Sequence, residues 1–252
     1  MTRTVLLALG LVTAFPAVAA CPAFDQAHSR WNTLLHQRVS AGVVDYAALH
    51  AAPAQLAAYL DELGAVCKVD FTGWTREQKV AFWVNAYNAF TVKAILDHYP
   101  VKSIREIGLL PGAAWREKFI PLGRLAGKSG ELSLNDVEHE ILRKDFPDAR
   151  LHFVLVCASM SCPELRDEAY RASQLAAQFD DAGRRFLGDV SKNQLDGSTW
   201  KVSSIFKWYR DDFERDGPGL VPFLKRYAGP QAQAEQAPEL EFRSYDWSLN
   251  GK

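Results

Sequence analysis

The sequence predicts an α+β fold: a helix-rich single domain around one central buried helix, with a small, mostly antiparallel sheet. Three observations carry this. Apolar residues recur at helical spacing through most of the chain. Strand-like runs are few, short and separated by helices. One segment, beginning at Thr75, is apolar around nearly its whole circumference, as a helix at the centre of a core must be. The alternative is an all-helical arrangement. Composition is that of a globular chain: 252 residues, 48% hydrophobic and 23% charged, with a formal charge of -1. This excludes a disordered chain. Without a basic excess there is no electrostatic footprint for nucleic acid.

Residues 1–20 read as a cleaved secretory signal peptide, with Arg3 as the basic start, an apolar run from Val5 to Phe15, and small residues Val18-Ala19-Ala20 before the cut. The expected location is therefore the periplasm or the exterior. The apolar run is too short to span a bilayer, and no later stretch is apolar enough to do so. The cut leaves Cys21 first. Val18 to Cys21 is similar to a bacterial lipobox, so Cys21 is either a lipid anchor or one half of a disulfide with Cys67 in an oxidising compartment. Four cysteines allow three pairings.

In the remainder, 21–252, Phe24 to Ser40 has a helical apolar stripe and Gly42 to Tyr46 is a short extended link. Ala54 to Leu63 is amphipathic and closed by Gly64. Thr75 and Gln78 form a capping box that opens the central helix, which ends near His98 before Pro100. Residues 118–132 read as a short hairpin. Ser133 caps a helix from Leu134 to Lys144. Leu151 to Val156, apolar on both faces, reads as a central buried strand. Ala172 to Leu187 is helical and Trp200 to Val202 a strand. Ile205 to Phe213 and Leu220 to Tyr227 are helices. Gly229 to Pro238 is a loop, and the chain closes with a C-terminal strand.

Polar groups on apolar faces mark the candidate site. Asn85 and Asn88 lie on an apolar arc of the central helix, so something must bond them. They either tie loop backbone to the helix or orient a substrate carbonyl. Glu138 interrupts the stripe of Leu134, Val137, Ile141 and Leu142, with His139 at its edge. Glu138 is either a structural ion-pair partner or the support of a catalytic His. His152 is buried in the expected strand. Cys157 ends that strand, and Ser159 and Cys162 crowd the following turn. The chain has no Cys-x-x-Cys and no His-x-x-x-His, so no metal or other cofactor is expected. Gly-x-Ser-x-Gly is also absent.

The segments Ala81 to Phe90, His98 to Ile104, Glu138 to Leu142 and His152 to Pro163 resemble the bacterial and plant family called domain of unknown function 547, over roughly residues 30 to 228. The family carries no established activity. The resemblance implies shared positions at Asn85, Tyr87, Asn88, Glu138, His139, His152 and Cys157. Plant members typically carry serine where Cys162 stands, so a bond to Cys162 is not the whole reason for Cys157. Cys21 and Cys67 lie outside the shared motifs, which suits a lineage-specific disulfide. The layout is also similar, at the level of fold only, to papain-like and transglutaminase-like enzymes.

Three function classes follow. In the first, a hydrolase or acyl transferase acts on amide or thioester bonds, with Cys157 as nucleophile, His139 as base and His152 as the alternative base, Glu138 in support and Asn85 or Asn88 facing the carbonyl. The second is a non-catalytic envelope module binding a small molecule, peptide or partner through the Asn85/Tyr87 pocket, with Asn88, His152, Ser159 and Cys162 as further binding candidates. The third is a thiol-redox protein using Cys157 and Cys162.

Overall fold

The computed structural model describes residues 21–215, 217–229, 232 and 237–252. The signal-peptide reading of 1–20 and most of the expected loop at 229–238 lie outside the described residues. The buried apolar side chains form one continuous cluster. Among the described residues no helix is long and apolar enough to cross a membrane.

The chain opens with a turn in which the Asp25 carboxylate accepts the backbone N–H groups of Ala27 and Ser29. Helix α1 (Ser29–Arg38) therefore starts later than its apolar stripe indicates. It leads into an antiparallel hairpin of β1 (Val39–Ser40) and β2 (Val43–Val44). Ala41 and Gly42 between them both have positive φ, the two-residue hairpin geometry matched to strand twist. Helices α2 (Tyr46–Ala51), α3 (Ala54–Ala65) and α4 (Lys68–Gly73) follow. Helix α1 packs on α2 and α3, and these two pack on the central α5 (Arg76–Asp97). The expected capping box is present, with Thr75 and Gln78 bonding each other's backbone. Residues 80–92 of α5 are all buried, and the expected solvent arc is marked by an ion pair of Lys93 with Asp97.

The fold class stands, but two of its strands do not form as expected. The 118–132 segment reduces to a single bridge between Ile120 and Leu132. The expected central strand at 151–156 is instead a 3-10 turn, Ala149–Phe153, followed by irregular chain. Apolar residues on both faces fit a buried helical turn as well as a strand. Here Asp148 settles the choice: its carboxylate caps the turn through the Arg150 N–H and grips the Arg150 guanidinium. Phe153 then packs among Phe186, Phe206, Phe213 and Tyr227 rather than against a neighbouring strand.

The segment after α6 (Ala113–Arg116) is also altered. Ser133 and Asp136 cap one another, as a capping pair should, but the helix that follows is a wide π-turn, Asp136–Leu142, running into α7 (Arg143–Asp145). The last third of the described chain comprises α8 (Leu175–Gly188), β3 (Thr199–Val202), α9 (Ile205–Trp208), α10 (Arg210–Arg215), α11 (Leu220–Ala228) and β4 (Glu239–Phe242). Strands β3 and β4 pair in parallel, so the two small sheets are one antiparallel and one parallel pair.

Candidate functional site

The two amides of α5 explain how irregular chain is tolerated in the core. Asn85 donates to the Tyr170 carbonyl at 2.7 Å and accepts its N–H at 3.0 Å. Asn88 does the same for the 154–156 segment, donating to Val154 O at 2.9 Å and accepting Val156 N–H at 3.0 Å. Each amide stands in for a missing neighbouring strand, satisfying backbone groups that burial would otherwise leave unpaired. Both side chains are spent on this and neither lines the cavity described below. The expectation that Asn85 faces a reacting carbonyl, and that Asn88 contacts a ligand, is corrected accordingly.

By holding residues 154–156, Asn88 sets the position of Cys157. Ala158, next in sequence, has φ 56°, a left-handed conformation that a non-glycine residue adopts at a cost. The turn closes with Cys162 N–H donating to Ser159 O at 3.0 Å and Cys157 N–H to Cys162 Sγ at 2.8 Å. The C-terminal chain then clamps it. Met160 N–H donates to Ser248 O, Asn250 N–H to Ala158 O, and Asp246 N–H to Ser161 Oγ. This clamp delivers Tyr245, whose hydroxyl lies 3.3 Å from Cys157 Sγ, while Ser159 Oγ lies 3.1 Å from the same sulfur.

Cys157 is a free, half-buried thiol. Burial alone would raise its pKa, but hydrogen bonds from Cys162, Ser159 and Tyr245 outweigh it and bring the pKa below the ordinary thiol value. Cys162 moves the other way, driven well up by burial and then by the neighbouring Cys157. Burial, followed by the two thiols, also drives the Tyr245 phenol far up, so it stays protonated and can only donate to a thiolate.

Cys157 opens onto a cavity of about 280 Å³. The far wall comes from the π-turn and α9–α10. A wider turn reduces the angular step between sequence neighbours, so Glu138 and His139 both reach the cavity. Glu138 is 6% exposed and accepts from Tyr87 at 3.1 Å. Tyr209 also hydrogen-bonds it; burial and then this carboxylate push the Tyr209 phenol up. Glu138 therefore supports two tyrosines, where a role behind His139 was expected.

His139 has a different neighbour. Its Nδ1 lies 2.6 Å from Arg143 Nη1. A guanidinium only donates, so Nδ1 accepts and the neutral ring carries its proton on Nε2. Arg143 continues to Asp212 at 2.6 Å, and Asp212 accepts from His152 Nε2 at 2.7 Å. Burial opposes the Asp212 charge, but the His152 and Arg143 hydrogen bonds prevail and hold its carboxyl well below the usual range. His152 stacks on Tyr209 with ring centroids 3.9 Å apart. The His–carboxylate pair sought at His139 and Glu138 is thus found at His152 and Asp212. No imidazole hydrogen-bonds the Cys157 sulfur among the described residues; its partners there are Ser159 and Tyr245.

The structure thus gathers Cys157, Cys162, Glu138, His139, His152 and Tyr87 on one cavity, places Ser159 beside its thiol, and leaves out Asn85 and Asn88. Sequence reasoning missed Tyr245, Asp212 and the indoles Trp115, Trp208 and Trp247 that line the cavity, and it placed Arg143 beside Glu138 where the structure has it on His139. The pair Tyr245 and Trp247 was a signal, two bulky aromatics in a polar C-terminal tail. Among the described residues, the grouping spaced for a metal is Cys21, Cys67 and Asp70, away from this cavity. Its two sulfurs are 2.12 Å apart in a disulfide, the pairing that the sequence allowed.

Residues 71–187 match the family model described as "Protein of unknown function, DUF547". The resemblance read from the motifs is borne out over that segment, which is a DUF547 segment and carries Glu138, His139, His152, Cys157 and Cys162. Tyr209, Asp212 and Tyr245 lie beyond it. No curated protein and no solved structure matches the chain.

Proposed function

We propose that the DUF547 segment of this chain, completed by its C-terminal clamp, is a cysteine-dependent hydrolase or acyl transferase acting on amide or thioester bonds. One observation carries this reading: a half-buried thiol opens into a cavity while Ser159 and Tyr245 sit within hydrogen-bond reach of its sulfur. A thiolate is the nucleophilic form, and donors that favour it raise its population at neutral pH. The thiolate attacks the carbonyl carbon, and the collapsing intermediate leaves an acyl group on Cys157. The departing amine or thiolate takes a proton from an imidazole across the cavity. The donor is His152, acting as an imidazolium with its Nε2 held by Asp212. Water or a second nucleophile then attacks the thioester, giving its proton back to the imidazole.

The test is acyl trapping. The protein incubated with an activated aryl ester or an acyl thioester should gain one acyl mass on the Cys157 peptide, and Cys157→Ser should gain none on that peptide. If Cys157 stays unmodified by both probes while the protein remains folded, the reading fails. Export is part of the same proposal and rests on residues 1–20. An intact mass starting at Cys21, with Cys21 bonded to Cys67, supports it, whereas a lipid mass on Cys21 replaces the soluble form with an anchored one.

A further inference from the structure

The cavity holds a second thiol that acyl transfer does not use. Cys162 is 3% exposed, unpaired, and directly against Cys157. The Cys157 N–H donates to its sulfur at 2.8 Å, and Cys162 is among the groups that lower the Cys157 pKa. The tight turn through Ser159 O, the left-handed Ala158 and the C-terminal clamp hold the two cysteines at this separation. Both residues line the cavity, Cys157 half-buried and Cys162 almost fully buried. Thiol–disulfide exchange uses such a pair, the more exposed sulfur attacking and its buried neighbour resolving. The lowered pKa of Cys157 and the raised pKa of Cys162 fall in the matching order.

We propose that Cys157 and Cys162 are a redox-active dithiol that exchanges with a disulfide-bearing substrate, Cys157 attacking and Cys162 resolving. The Cys157 thiolate attacks one sulfur of the substrate disulfide. That bond breaks, a mixed disulfide forms on Cys157, and the other half leaves as a thiolate. Cys162 then gives up its proton and attacks Cys157 Sγ, expelling the second half as a thiolate. The substrate disulfide has gained two electrons and the protein has lost two, ending as a Cys157–Cys162 disulfide. Run in reverse, the oxidised pair inserts a disulfide into a dithiol substrate. The cavity's indole and phenol walls, Trp115, Trp208, Tyr245 and Trp247, suit an apolar or aromatic group beside the substrate sulfur. The proposal shares the nucleophilic thiol with the acyl-transfer reading and is independent of the acyl chemistry.

The probe is oxidised glutathione. The wild-type protein should lose two titratable thiols with no lasting glutathione mass, and dithiothreitol should restore both. Peptide mapping should show the Cys157–Cys162 link while Cys21–Cys67 is unchanged. Cys162→Ser, and Cys162→Ala as a second variant should the first fold poorly, should accumulate a Cys157–glutathione adduct on the order of tenfold above wild type, since nothing resolves it. An equal adduct in wild type and variant overturns the proposal while leaving Cys157 a nucleophile. A wild type that forms neither adduct nor internal disulfide, but is alkylated at Cys157 by iodoacetamide, overturns it as well. If Cys157 is inert to both reagents, the acyl-transfer reading falls with it. The wild-type thiol count alone decides the case if neither variant folds.

Discussion

At Cys157 the donors that favour the thiolate can be removed one oxygen at a time. Tyr245→Phe keeps the ring that packs on Trp208 and Trp247 and deletes only the hydroxyl 3.3 Å from the sulfur. A hydrogen bond to an ionised group contributes about 1.5–3 kcal/mol and one pKa unit is about 1.4 kcal/mol, so the pH midpoint of Cys157 alkylation should rise by about one to two units. Ser159→Ala should shift it the same way. An unmoved midpoint in both variants would remove the donor argument. Asp212 makes a separate, pH-dependent prediction. Its folded pKa is depressed, so the ionised form contributes stability above the unfolded value of about 3.9. That contribution is lost as pH falls toward the folded pKa. Asp212→Asn lacks it at every pH, so the melting-temperature gap from wild type should be widest at pH 5–7 and should narrow progressively below about pH 4. A gap that widens on acidification contradicts the ion-pair assignment. Glu138, His139, His152 and Cys157 were all legible at this scale as polar groups against apolar runs. Their partners were not. A sequence neighbour such as Glu138 is near His139 in any conformation, whereas Arg143 reaches it only because one turn of helix intervenes, and Asp212 meets His152 only through packing.

Among the elements, α5 was readable nearly to the residue because its capping box, period and terminator are all local. Thr75→Ala should cost about 1 kcal/mol in urea unfolding through the lost cap. The two amides of the same helix test a different property. Asn88→Ala orphans two buried backbone groups, Val154 O and Val156 N–H, each costing about 1–3 kcal/mol, so a loss of about 2–6 kcal/mol is expected. Asn85→Ala should cost a similar amount through Tyr170 while leaving the alkylation midpoint of Cys157 unchanged in the folded fraction. A shifted midpoint with intact stability would restore Asn85 to the site. The expected strand at 151–156 failed for a reason visible only at this scale. A run apolar on both faces is fit for burial, but it becomes a strand only if another strand pairs with it. Here α5 supplies side-chain amides instead, and Asp148 turns the chain into a 3-10 coil.

Across the whole molecule, the chain's ends act on its centre. The Cys21–Cys67 disulfide closes a separation of 46 residues, which in the chain-entropy model contributes about 4 kcal/mol. The Cys21→Ser, Cys67→Ser double variant should unfold at correspondingly lower urea, with the Cys157 thiol unaltered while folded. At the other end, the stretch Tyr245–Asn250 lies outside the matched segment yet carries both a thiol donor and the bonds that clamp the 157–162 turn. A fragment limited to residues 71–187 therefore lacks part of the site, even though it holds the cysteines and histidines.

The sequence by itself determined what is local: the helix-rich α+β class, the capped and largely buried α5, the extended link after α1, and the cysteine, histidine and carboxylate positions that gather at the cavity. These follow from hydrogen bonds a few residues apart and from which faces must leave water. Only the tertiary structure decided which groups meet. Tyr245 reaches Cys157 across 88 positions and Asp212 reaches His152 across 60. Which distant surface closes over a buried polar group depends on how the whole core fills space, and no local period in the chain records that.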